Sequence, residues 1–139
     1  EVLAALTHLL GVTQDEETRW SAAESLWRLA PHNLAGGLRR VKDLGMLIGE
    51  HPVTLMVAVL PKTDQMIAVL LRVYPMRNQK YLPAHLQLVV LDEAGKTFLE
   101  TEARELDNYI QLKFSGSPGE QFSVRVGLGE ANITEDFTL

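Results

Sequence analysis

Two neighbouring stretches of this chain carry apolar side chains on both of their faces, and no other feature limits the fold as much. A strand sends successive side chains to opposite faces. In Val53–Leu60, Val53, Leu55, Val57 and Val59 fall on one face and Met56, Ala58 and Leu60 on the other. In Gln65–Tyr74, Ile67, Val69, Leu71 and Val73 oppose Met66, Ala68 and Leu70. A strand with one wet face alternates apolar with polar residues. These two do not, so each needs cover on both sides. Pro61-Lys62-Thr63-Asp64 and Pro75 close them.

The later strands are of the one-sided kind. Ile110, Leu112 and Phe114 alternate with Gln111 and Lys113, and Phe122, Val124, Val126 and Leu128 alternate with Ser123 and Arg125. Leu86–Leu91, the weaker Lys96–Ala103, Asn108–Phe114, Gln121–Leu128 and Ile133–Leu139 complete a set of seven. Asp92-Glu93-Ala94-Gly95 and Gly116-Ser117-Pro118-Gly119 supply turns. Turn signals at this spacing predict an antiparallel sandwich or barrel.

The cover for the two-sided strands is sought upstream, where the periodicity is helical. Val2, Leu3, Leu6, Leu9 and Leu10 follow helical spacing up to Gly11. Thr13 with Glu16 predicts a capping box for a second helix that ends near Ala30, before Pro31. Trp20, Ala22, Ala23, Leu26, Trp27 and Leu29 cover one half of that helix. Arg19 falls in the same half and is expected to reach the preceding acids. The apolar half of the helix and the second face of the strands each lack a partner, so the expectation is that they dock. Residues 31–52 stay open between a short strand, a helical turn and an extended crossing segment.

Composition narrows the function. The chain has 139 residues, enough for one domain or one domain with a small appendage, and 46% of them are hydrophobic. There is no cysteine, which excludes disulfide scaffolds, thiol catalysis and cysteine-ligated zinc. The net charge of −5 argues against nucleic-acid binding. No apolar run reaches the roughly 18 residues of a bilayer span, and nothing reads as a signal peptide, so no membrane partner is expected. Glu1 opens inside a running helical pattern, which reads as a piece of a longer protein.

No motif carries chemistry. His8, His32, His51 and His85 lack metal-ligand spacing. No Gly-x-Ser-x-Gly elbow is present, and Gly127-x-Gly129 reads as a turn. The acids Glu100, Glu102, Glu105 and Asp107 gather around one connection, with Glu130, Glu135 and Asp136 near the end, but neither group has the alternating loop positions of a calcium site. Arg39, Arg40 and Lys42, with Arg72, Arg77 and Lys80, read as solvated loop charges. Arg104, Asp107 and Glu135 are placed as a polar tie at one end of the strands. No catalytic, cofactor-binding or metal-binding residue is nominated, and no cofactor is expected.

Two resemblances follow. Asp15-Glu16-Glu17-Thr18-Arg19-Trp20-Ser21-Ala22-Ala23-Glu24-Ser25-Leu26 resembles the start of a HEAT-type helical repeat. The later chain carries Lys42-Asp43-Leu44-Gly45, Val53-Thr54-Leu55 with Pro61, Tyr81-Leu82-Pro83, Leu86-Gln87-Leu88 and Leu91-Asp92-Glu93-Ala94-Gly95. Arg104, Asp107-Asn108-Tyr109-Ile110-Gln111-Leu112, Gly119-Glu120-Gln121-Phe122-Ser123-Val124 and Thr134-Glu135 with Phe137 follow. Through these stretches it resembles the mostly cyanobacterial domain of unknown function family eighteen-twenty-two. This second likeness implies a cyanobacterial, cytoplasmic setting and a C-terminal module of larger, often regulatory, proteins, with no catalytic residues to carry over. The resulting expectation is an α+β fold in two parts: a HEAT-like helical pair over 1–35, packed on a mostly antiparallel β-sandwich module of about seven strands over 36–139. The function expected is a non-catalytic interaction or sensor module in a regulatory, signalling or defence-type protein. Its partner would be another protein or the upstream domains of the same chain, and a homo-oligomer is possible. The alternative is a small-ligand or carbohydrate-binding sandwich, which needs an exposed aromatic groove built from Tyr74, Tyr81 and Tyr109.

Overall fold

A computed structural model describes residues 4–5, 8, 15–29, 40–62, 64–76 and 79–139, with the side chains of 16, 26–29 and 40–43 outside the description. The elements among the described residues are one helix, α1 (Glu16–Leu29), and eight strands: β1 (Arg40–Ile48), β2 (His51–Pro61), β3 (Ile67–Pro75), β4 (Gln87–Leu91), β5 (Thr97–Glu102), β6 (Ile110–Gly116), β7 (Gln121–Leu128) and β8 (Ala131–Thr138). The strands make two four-stranded sheets, β1-β2-β3-β6 and β5-β4-β7-β8. Every pairing is antiparallel. Edge strand β1 lies against β7 and β8, and edge strand β6 against β4 and β5.

Register explains why two strands are apolar on both faces. Leu55 pairs Val73, Val57 pairs Leu71 and Val59 pairs Val69, all on the face turned to the second sheet. That face meets Leu88, Val90, Val124 and Val126 in the main core. The intervening pairs, Ala58 with Leu70 and Leu60 with Ala68, lie on the opposite, outer face. There they bury a second cluster with Trp20, Ala22 and Ala23 of α1, with Met56 packed beside it. The two clusters share no residue. The second sheet keeps a polar outer face, where Gln87 pairs Glu102 and Arg125 pairs Thr134. Its strands therefore carry the one-sided pattern.

Several expectations need correction. Among the described residues no HEAT-like helix pair is present. Among the described residues α1 is the one helix long enough to form an element, and it packs on a sheet. The apolar positions of the first expected helix lie outside the described residues. The seven-strand sandwich is replaced by two small sheets of four strands each. The added strand is β1, from the open 31–52 stretch. Its residues alternate poorly because it is an edge strand. Met46 packs against the main core, whereas Leu47 on the other side is 58% exposed. The turn to β2 is Gly49-Glu50, and the turn between β7 and β8 is Gly129-Glu130. Each puts glycine at the first central position with φ of 63° and 61°, the geometry that a two-residue hairpin favours.

The start of α1 also differs. Asp15 caps the helix: its Oδ1 accepts the Glu17 N–H at 3.3 Å, and its Oδ2 accepts the Thr18 hydroxyl at 2.8 Å. Thr13, the expected cap, lies outside the described residues. Arg19 is buried, and its guanidinium donates to the Pro61 carbonyl at the end of β2.

A buried aromatic ring replaced by alanine costs about 3–5 kcal/mol. Trp20→Ala is therefore expected to lower the unfolding free energy by about that amount in urea titration. Leu47→Ala, on an exposed edge, should stay within about 0.5 kcal/mol of the parent. Equal effects of the two would contradict the packing described.

Candidate functional site

Acidic residues that gather in the sequence are dispersed by the strands. Glu100 pairs Val89 on the outer face of the second sheet. Glu102, also on that face, approaches the exposed ring of His85 at 3.4 Å. Asp136 accepts a hydrogen bond from the Ser123 hydroxyl at 2.6 Å, and its neighbour Glu135 falls on the opposite face, paired with Val124. Among the described residues no group of three or more His, Asp or Glu side chains is placed to hold a metal ion. The polar tie is corrected to a pair. Arg104 Nε lies 3.4 Å from Asp107 Oδ2, and Glu135, exposed on β8, takes no part in it.

Two connections at one end of the sheets are laced into a single unit. Residues 79–86 lead into β4, and 103–109 join β5 to β6. Leu82 N–H donates to the Asp107 carbonyl at 2.9 Å, His85 N–H to the Ala103 carbonyl at 2.8 Å, and Ala103 N–H to the Leu86 carbonyl at 2.8 Å. Leu82 and Leu86 are buried beneath them as part of the main core. Asp107 fixes the second connection from within: its Oδ2 accepts the Arg104 N–H at 2.8 Å, and its own N–H donates to the Arg104 carbonyl at 3.2 Å. The Arg104 backbone N–H lowers the Asp107 pKa most strongly, against a smaller opposing effect of partial desolvation. The Arg104 side chain adds its own hydrogen bond and charge.

This laced pair displays apolar side chains. Tyr81 is 40% exposed, Leu106 73% and Tyr109 46%. Leu106 sits at φ 66° and His85 at φ 73°, a left-handed backbone that non-glycine residues seldom adopt. Both tyrosines carry a cation on the ring: Lys80 lies 5.5 Å from the Tyr81 centroid, and Arg72 lies 5.0 Å from that of Tyr109. Tyr74 is half-buried on β3, paired with Thr54 two positions beyond Arg72. Of the three expected tyrosines, two are therefore displayed at this end and one is built into the sheet.

Arg72 is the largest departure from the sequence reading. It was expected as a solvated loop charge, but it stands on the outer face of β3 with its side chain only 25% exposed. It donates to Glu24 of α1 at 2.8 Å and to Gln111 of β6 at 2.9 Å, beside Tyr109. A cation in an otherwise apolar strand face was the available signal. Leu106, between Glu105 and Asp107, had none. Of the other expected loop charges, Arg39 and Arg77 lie outside the described residues.

The lowered Asp107 pKa has a defined sign. Its stabilising effect is full above the pKa of the unfolded chain and is lost as pH falls through the lower folded value. Asp107→Asn is therefore expected to lower the melting temperature at neutral pH, with the gap to the parent closing as pH drops below the usual aspartate range near 4. A gap that stays constant from about pH 7 to pH 3 would contradict the assignment.

No curated protein matches the sequence. A family model does match, over residues 1–138. The match takes in the helical region as well as both sheets, so a separate HEAT-type repeat ahead of the domain is not supported. The chain belongs to the family described as a protein of unknown function (DUF1822).

Proposed function

We propose that the chain is a non-catalytic interaction module whose contact surface is the laced loop pair. The observation that carries this reading is the exposure of Tyr81, Leu106 and Tyr109 on two connections fixed to each other by backbone hydrogen bonds. Exposed tyrosines on a rigid support contribute strongly to protein interfaces, because little side-chain entropy is lost on contact. The partner is another protein or further domains of a longer chain. The setting we propose is the cytoplasm of a cyanobacterium, within a regulatory, signalling or defence-type protein. The resemblance in sequence supports this setting. No helix among the described residues is long and apolar enough to cross a membrane.

The test compares the parent with Tyr81→Ala, Leu106→Ser and Tyr109→Ala. A partner is first identified by co-purification from the native host and then titrated with purified proteins. Removing an interface tyrosine of this kind costs about 2 kcal/mol, roughly a thirtyfold loss of affinity. The expected result is such a loss for Tyr109→Ala and Leu106→Ser, with little change in melting temperature. Undiminished binding by all three variants would move the contact surface elsewhere. Binding of an oligosaccharide by the purified chain, abolished by Tyr81→Ala, would favour ligand recognition instead.

A further inference from the structure

The outer face of the first sheet is built to hold a particular kind of helix. Glu17 and Glu24 are seven residues apart, two helical turns, and so share one stripe with Trp20 between them. The sheet answers with cations at both ends: Lys113 Nζ lies 3.0 Å from Glu17, and Arg72 lies 2.8 Å from Glu24. Between these cations runs an apolar floor of Ala58, Leu60, Ala68 and Leu70, on which Trp20, Ala22 and Ala23 rest. In both ion pairs the acid is on the helix and the base is on the sheet.

We propose that this face is an exchangeable docking site for an acidic amphipathic helix, occupied in cis by α1 and able to take the α1 of a second copy. It is a different face from the laced loop pair, and the inference stands without that reading. Two observations support exchange. The helix-side cluster shares no residue with the main core, so α1 can leave without opening the core between the sheets. The two ion pairs are partly solvated, which makes the hold sensitive to charge and salt. Exchange of an identical element is a low-cost route to a dimer. In the isolated chain the cis arrangement is favoured by its high effective concentration.

Two charge-reversed chains test this. One carries Glu17→Lys with Glu24→Lys, the other Arg72→Glu with Lys113→Glu. Alone, each opposes its own helix to its own sheet with like charges. Mixed in equal amounts, each helix meets a complementary sheet on the other chain. Light scattering is expected to give the monomer mass for each chain alone, twice that mass for the mixture at low salt, and the monomer mass again at high salt. A mixture that stays monomeric would overturn the proposal. Hydrogen exchange of the unmodified chain decides independently should a variant fail to fold. Amides of α1 should exchange at least about tenfold faster than those of β2, β3 and β7. Raising salt to roughly 0.5 M should speed α1 alone. Protection of α1 equal to that of the core strands, with no response to salt, would rule out exchange.

Discussion

Everything in this fold depends on β2 and β3 being buried on both faces. Odd-numbered positions from Val53 to Val57 and from Val69 to Val73 close the core between the sheets. Even-numbered positions from Ala58 to Leu70 close a second cluster beneath α1. A shift of one residue in either strand would exchange the two sets and put alanines where the main core needs valine and leucine. The residue sizes enforce the register. Ala58 and Ala68 pair with Leu70 and Leu60 beneath the buried Trp20, while valine and leucine of the other face fill the core between the sheets.

That division was legible because strand periodicity is local. The parity of Val53–Leu60 and Gln65–Tyr74 reports which side chains share a face, and a second apolar face cannot stay wet. Seven strands could be located from the alternation and from turns such as Asp92 to Gly95. β1 could not, because Lys42, Asp43 and Gly45 interrupt its pattern and an edge strand needs only one clean stripe. The helix pair failed for a different reason. Asp15 through Leu26 reads equally well as a repeat helix and as a helix lying on a sheet, since both ask for one apolar half. Only the tertiary partner distinguishes them, and here that partner is Leu60, Ala68 and Leu70.

The candidate surface was half legible. Tyr81 and Tyr109 belong, with Tyr74, to the tyrosines from which an exposed aromatic groove could be built. What brings them to one end is backbone pairing between Leu82 and Asp107, a contact across 25 residues that no local pattern encodes. Leu106 and His85 gave no warning either, because a left-handed backbone at a non-glycine residue is set by its surroundings. Asp107 supplies those surroundings for Leu106 by holding Arg104 three residues earlier. Arg72 links this end to the helix, since one guanidinium meets Tyr109, Gln111 and Glu24.

The two-faced strand is tested most directly by double-mutant cycles between Trp20 and two adjacent residues of β3. Leu70 and Leu71 are neighbours in sequence, both fully buried, and belong to different clusters. Denaturant unfolding would be measured for Trp20→Ala, Leu70→Ala, Leu71→Ala and the two double variants. Residues in contact couple by about 0.5–3 kcal/mol, whereas independent sites add to within about 0.5 kcal/mol. The account predicts coupling of Trp20 with Leu70 and additivity with Leu71. Coupling to Leu71 as strong as to Leu70, or no coupling to Leu70, would contradict it.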